Sequence, residues 1–144
     1  MKSAGADTYN LAAPSSSSFR DPAGRLLKID GRIIRVVNEC GVADLEAFLG
    51  SKTSRSFVGR GSLVGTGFLS PDEICDLLAD ADARESLGLS VDSKVAEHEL
   101  ISFQNYPYEW PAEMLHAAAS LTLDLARSTV EEGLGLKDAT PYNI

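Results

Sequence analysis

Two side chains near the C-terminal end have types and spacing suited to chemistry: Asp138 and Asn143, in "LKDATPYNI" (residues 136–144). An aspartate can accept the proton of a substrate hydroxyl. An amide oxygen a few residues on can coordinate magnesium without adding charge. Both lie after a long helical pattern, so both belong to a loop at a helix C-terminus. The plainer use of Asp138 is to cap a turn of that loop.

The pattern Asp-x-x-x-x-Asn is also that of the protein-kinase catalytic loop, H-R-D-x-x-x-x-N. Leu136 and Lys137 stand here where the histidine and arginine would be, so the match is partial. Other candidates are weaker. "VGRGSLVGTG" (58–67) has four glycines but neither phosphate-cradle spacing, and Ser62 is one position off a nucleophile elbow. It reads as an irregular glycine-rich loop or loose hairpin. His98-Glu99 is not followed by a second histidine at Ser102, and the helical His116 has no further ligand type at metal spacing. "NYPYEWP" (105–111) could stack a planar ligand. The preferred reading is a rigid turn whose rings roof the core, with Glu109 adding a buried hydrogen bond.

These residues need elements to hold them. The runs Arg25–Ile29 and Arg32–Val37, joined by Asp30-Gly31, predict a hairpin with a type I′ turn. Asp21-Pro22-Ala23-Gly24 is a turn before it. Val42–Ser51 predicts a short helix. A second is predicted from Ser70 as N-cap, Pro71 at the first helical position and Glu73 closing a capping box, with Ile74, Leu77 and Leu78 buried. "VAEHELISF" (95–103) reads as a strand entering the aromatic turn. Pro111 then opens a helix over roughly 111–132. Its buried face is expected at Met114, Leu115, Ala118, Leu121, Leu125 and Val130, and Gly133 and Gly135 end it. Residues 1–18, small and serine-rich, read as a flexible leader. The fold class expected is α+β.

Composition bounds the rest. With 144 residues, 44% hydrophobic and 24% charged, the chain can hold one ordinary domain with a modest core. A net charge of −8 makes nucleic acid and anionic membrane poor partners. Cys40 and Cys75 form no metal or disulfide framework and are expected to be free, buried thiols. No signal peptide and no apolar run near the roughly 20 residues of a membrane span is present. The expected location is the cytoplasm.

Read together, "SFRDPAGRLLKIDGRIIRVVN", "YPYEWP", "EMLHAAA" and "GLKDATPYNI" resemble the N-terminal region of a family of bacterial class I S-adenosylmethionine-dependent methyltransferases of nodulation-associated type. The resemblance covers about residues 18–144 and is firmest over 97–144. It implies that residues 19–144 are a region preceding the methyltransferase domain, and that this region is itself kinase-like. "ELISF" would then enter a hinge, "NYPYEWP" would be the hinge, and "LKDATPYNI" the catalytic-loop equivalent, with Asp138 as base and Asn143 as metal-binding amide.

The glycine-rich turn and ribose carboxylate of a methyltransferase domain are not in this sequence. S-adenosylmethionine would therefore bind elsewhere in the parent protein. The expectation is an incomplete domain, inactive alone, with an exposed sheet edge, marginal stability and an unknown small-molecule or protein methyl acceptor as partner. The alternatives are a kinase-like phosphotransferase or pseudokinase lobe that uses Asp138 and Asn143 with magnesium and nucleotide, or a non-catalytic module that positions a substrate or partner.

Overall fold

A computed structural model describes residues 21–79, 93–103 and 105–141. The leader at 1–18 and Asn143 lie outside the described residues. The architecture is α+β: a four-stranded antiparallel sheet with helices.

Strands β1 (Gly24–Ile29) and β2 (Arg32–Val37) form the expected hairpin. Asp30 and Gly31 both have positive φ, 47° and 80°, as a type I′ turn requires. Helix α1 (Glu39–Gly50) starts three residues earlier than its apolar pattern suggests, and Ser51 separates it from α2 (Lys52–Gly59). Ser51 Oγ accepts the Ser54 N–H at 2.9 Å, so the same residue ends one helix and caps the next.

Helix α2 takes Val58 and Gly59 from the irregular loop expected over "VGRGSLVGTG", of which residues 60–65 are in neither helix nor strand. Its C-terminus is a Schellman motif: Gly61 N–H donates to Val58 O and Ser62 N–H to Phe57 O, both at 2.9 Å. Gly61 has φ +69°, the left-handed conformation such a cap needs. Buried Phe57 anchors the helix beneath the Arg60 guanidinium, whose carbon lies 3.7 Å from the ring centroid. The remaining glycines lead into strand β3 (Thr66–Phe68).

Helix α3 (Pro71–Ala79) has the predicted capping box. Ser70 N–H donates to Glu73 Oε2 at 2.8 Å, and Glu73 N–H donates back to Ser70 Oγ at 3.3 Å. Strand β4 (Lys94–His98) lies between β2 and β3, giving the order β1-β2-β4-β3. The expected strand over 95–103 therefore ends at His98. The last ladder bond beyond it is Glu99 N–H to Gly65 O at 2.7 Å. Past that point β2 has reached its hairpin turn and β3 has not begun, so nothing is left to pair with. Leu100, Ile101 and Phe103 are exposed.

The main buried cluster lies on one sheet face, while Val37 and Ala96 are buried on the other. Ile34 and Val95 meet Ile74 and Leu77 of α3, with Leu27, Ile29, Val36, Leu69 and Leu78 packed around them. The opposite face carries Leu26, Ile33, Arg35, Val37, Ala96 and His98 by alternation along the paired strands. A single 3₁₀ turn (Pro107–Glu109) precedes helix α4 (Ala112–Glu131), whose Pro111 is the N-cap residue. A second Schellman motif closes α4: Gly133, φ +76°, donates to Val130 O at 3.0 Å, and Leu134 N–H donates to Thr129 O at 2.9 Å.

Helix α4 docks through its C-terminal half. The Glu132 carboxylate accepts the N–H groups of Lys52 and Thr53 at 2.9 and 2.7 Å, capping α2 from 80 residues away. Thr129 is fully buried, while Leu121 and Leu125 are half-buried. Met114, Leu115 and Val130, expected on the buried face, are exposed. The periodicity marked an apolar stripe wider than the contact that α2 provides. Both cysteines are exposed rather than buried; the Cys40 thiol donates to Pro22 O at 3.4 Å. No helix among the described residues is long and apolar enough to cross a membrane.

Candidate functional site

The segment carrying Asp138 leaves the α4 cap at Leu134 and returns towards the start of the sheet. Lys137 Nζ reaches Asp21 Oδ1 at 3.4 Å. Asp21 is a junction: its Oδ1 also accepts the Ala23 N–H at 2.9 Å, and its Oδ2 accepts from Arg35 Nη1 on β2 at 2.8 Å. Burial alone would raise the Asp21 pKa, but the Ala23 N–H, Arg35 and Lys137 outweigh it and hold it below the ordinary value. Lys137, at the position of the arginine in the kinase-loop pattern, is thus engaged with the front of the sheet. Asp138 is exposed next to it. Its proposed companion, Asn143, lies outside the described residues, so the pair is not described as one site.

Two of the three residues after Asp138 border a groove of about 360 Å³ beside α4. Ala139 and Pro141 form one wall, and Trp110, Leu115, Ala119 and Leu123 are among the residues of the other. The Trp110 indole N–H donates to Asn105 Oδ1 at 2.7 Å, fixing the ring at the groove mouth.

The aromatic turn does not roof the core. Tyr106 and Tyr108 stack on one another, with ring centroids 5.6 Å apart and 4° between planes, and both are exposed. Glu109 does make a hydrogen bond, accepting the Tyr106 N–H at 3.1 Å, but at the surface. The 3₁₀ turn over Pro107–Glu109 begins between the two tyrosines.

At the hairpin end of the sheet lies an open cleft of about 430 Å³, lined in part by Arg32, Thr66, Glu73, Glu97 and His98. Arg32 makes a forked pair with Glu97, Nε to Oε1 at 2.8 Å and Nη2 to Oε2 at 2.7 Å. The hydrogen bonds from Arg32 lead the causes that hold Glu97 below the usual carboxylate range. His98 Nδ1 is 2.8 Å from Thr66 Oγ1, and that hydroxyl lies 3.4 Å from Val64 O. Burial, and then the Arg35 charge, lower the His98 pKa, which keeps the ring neutral at pH 7. Its Nε2 and the Arg35 Nε are buried without a hydrogen-bond partner.

The sequence reading missed Arg32, Arg35 and Asp21. Alternation along β2 could have placed Arg35 on the face opposite the Ile34 core. The cross-strand register that joins Arg32 to Glu97 was not available from one strand alone. No group of three or more histidine, cysteine, aspartate or glutamate residues able to hold a metal occurs among the described residues. His116 is exposed on α4, and Ser62 serves the α2 cap through its backbone.

No protein-family model and no solved structure matches the chain at a significant level. Among curated proteins, the chain is similar to the nodulation protein NoeA of Rhizobium meliloti (strain 1021), with 32% identity over 129 residues. That match takes in 90% of this chain but 24% of NoeA, so the chain spans about a quarter of the length of the relative it matches.

Proposed function

We propose that this chain is the N-terminal part of a nodulation-associated, S-adenosylmethionine-dependent methyltransferase and has no methyl-transfer activity alone. The observation that carries this reading is the match of nine-tenths of the chain to about a quarter of the much longer NoeA. The sequence itself supports the second half of the claim. Among the described residues, no glycine pattern has the strand–turn–helix context of a nucleotide-type cofactor site. Gly61, in the richest of these patterns, is occupied in capping α2. The cofactor and the methyl acceptor, a small molecule or a protein, would be bound by the remainder of the parent protein.

A second reading is favoured by the order of parts around Asp138. Strand β4 leads into the aromatic turn, the turn into α4, and α4 into the loop bearing Asp138, which is the order a kinase-like region would have. Against catalysis stands Arg35: it is a cation on β2 paired with Asp21 of a turn, not with a helix carboxylate as the kinase strand lysine is.

Equilibrium dialysis of the native-length protein and of the 144-residue chain against labelled S-adenosylmethionine separates the readings. Binding by the native-length protein alone is expected. Binding by the 144-residue chain, or by neither, would overturn the methyltransferase reading. The same dialysis with ATP and magnesium, repeated with Asp138→Ala, supports the second reading only if binding occurs and the substitution weakens it.

A further inference from the structure

Strand β3 is an edge of the sheet, since the order β1-β2-β4-β3 leaves one of its sides open. Glu99 N–H donates to Gly65 O at 2.7 Å, and Leu69 N–H donates to Val95 O at 2.9 Å. Bonded positions alternate in an antiparallel ladder, so Gly65, Gly67 and Leu69 turn their backbone groups towards β4. Thr66 and Phe68 therefore each turn an N–H and a C=O away from the sheet. None of these four groups has a hydrogen-bond partner among the described residues. Such an edge is a template for a further strand.

Gly67 lies between Thr66 and Phe68 and is exposed, and a Cβ there would meet nothing within 4 Å. It stands opposite Glu97, on the face that carries Ile34 and α3. Directly opposed residues share a face. A side chain opposite Gly67 on an added strand would thus cross a position that has no side chain and enter the open cleft of about 430 Å³. The charged side chains lining that cleft are Arg32, Glu73, Glu97 and Glu99, three carboxylates against one guanidinium. Arg32 is already forked onto Glu97. Glu73 spends its Oε2 on Ser70, and Glu99 spends its Oε2 on the Gly65 N–H. Oε1 of each has no partner among the described residues. The carboxylates alone would mark no site. The unpaired edge beside them selects an extended peptide, and their charge selects a cation on it. The other edge strand, β1, carries Arg25 and Lys28, which repel a basic segment. A second copy would bring only Thr-Gly-Phe at its own β3, with no cation for the cleft.

We propose that the β3 edge receives an extended segment of a partner polypeptide as an added strand, with a lysine or arginine opposite Gly67 reaching the carboxylates of Glu73, Glu97 and Glu99. This contact is independent of the methyltransferase reading.

The test is fluorescence anisotropy of a dye-labelled pentapeptide amide, Val-Thr-Lys-Thr-Val, titrated with the protein. Saturable binding is expected. It should weaken at least about tenfold when norleucine replaces the lysine, and again when both threonine amides, which would meet Thr66 O and Phe68 O, are N-methylated. Gly67→Val closes the passage and should weaken the peptide by a similar factor. Its Tm should equal or exceed the parental one, because the new side chain enters open space and valine favours a strand. If that Tm falls instead, the two modified peptides, which leave the protein unchanged, still decide. Binding that survives norleucine, the N-methyl groups or a folded Gly67→Val overturns the proposal, as does no binding at about 1 mM peptide. A protein mass that grows with concentration, and is restored to that of a monomer by Gly67→Val, assigns the edge to a second copy and also overturns it.

Discussion

Asp21 shows how much one side chain can carry. It is held below its ordinary pKa by the Ala23 N–H, Arg35 and Lys137, so its charged form is favoured in the folded state. A depressed carboxylate pKa contributes stability that is complete above the unfolded value, near 3.8, and is lost as the pH falls through the lower folded value. Asp21→Asn should therefore cost about 1 kcal/mol at pH 7. The difference from the parental protein should shrink as the pH drops below 3.8. Urea unfolding at pH 7 and pH 3 measures both. A difference that is the same at the two pH values would deny Asp21 its charge role. Asp138, by contrast, is exposed.

Element boundaries here are set by caps more than by propensity. Helices α2 and α4 both end in Schellman motifs on glycines with positive φ. Gly59 and Gly61 separate conformation from space, since a Cβ at either would meet nothing within 4 Å. Only Gly61 is left-handed. Gly61→Ala should then cost about 1–2 kcal/mol. Gly59→Ala, at the last helical position of α2, should be neutral or stabilising by up to about 1 kcal/mol. Thermal unfolding of the two single variants checks the contrast, and equal effects would refute the capping account. Helix α3 was legible because its capping box is local, between Ser70 and Glu73. Helix α2 was not, because its N-terminus is capped by Ser51 and by Glu132 from a distant helix.

At the scale of the molecule, the core is small. Four buried side chains, Ile34, Ile74, Leu77 and Val95, form the cluster that holds sheet and α3 together. Meanwhile Phe103, Tyr108, Leu123 and Val130 stand mostly in solvent. With so little interior, a single cavity removes a large share of a stability that is typically 5–15 kcal/mol. Ile34→Ala should cost roughly 2–5 kcal/mol, whereas Leu123→Ala in the 144-residue chain should stay within about 0.5 kcal/mol. Circular dichroism during urea unfolding distinguishes them, and a Leu123→Ala loss as large as that of Ile34→Ala would mean that Leu123 is already covered.

The sequence by itself determined what is local: the Asp30-Gly31 hairpin, the Ser70–Glu73 capping box, the Pro111 start and Gly133 end of the long helix, and the α+β class. Each depends on residues within one turn or one pair of strands, where backbone sterics and short-range hydrogen bonds decide. Only the tertiary structure decided which apolar positions are covered. The α4 pattern named Leu115 and Leu125 alike, yet Leu125 is half-buried and Leu115 is exposed. Charge partners followed the same rule. Arg32 finds Glu97, Arg35 and Lys137 find Asp21, and Glu132 finds the start of α2. These pairings depend on sheet register and helix docking across up to 116 residues. Periodicity tells which side of an element is apolar; only packing tells what meets it.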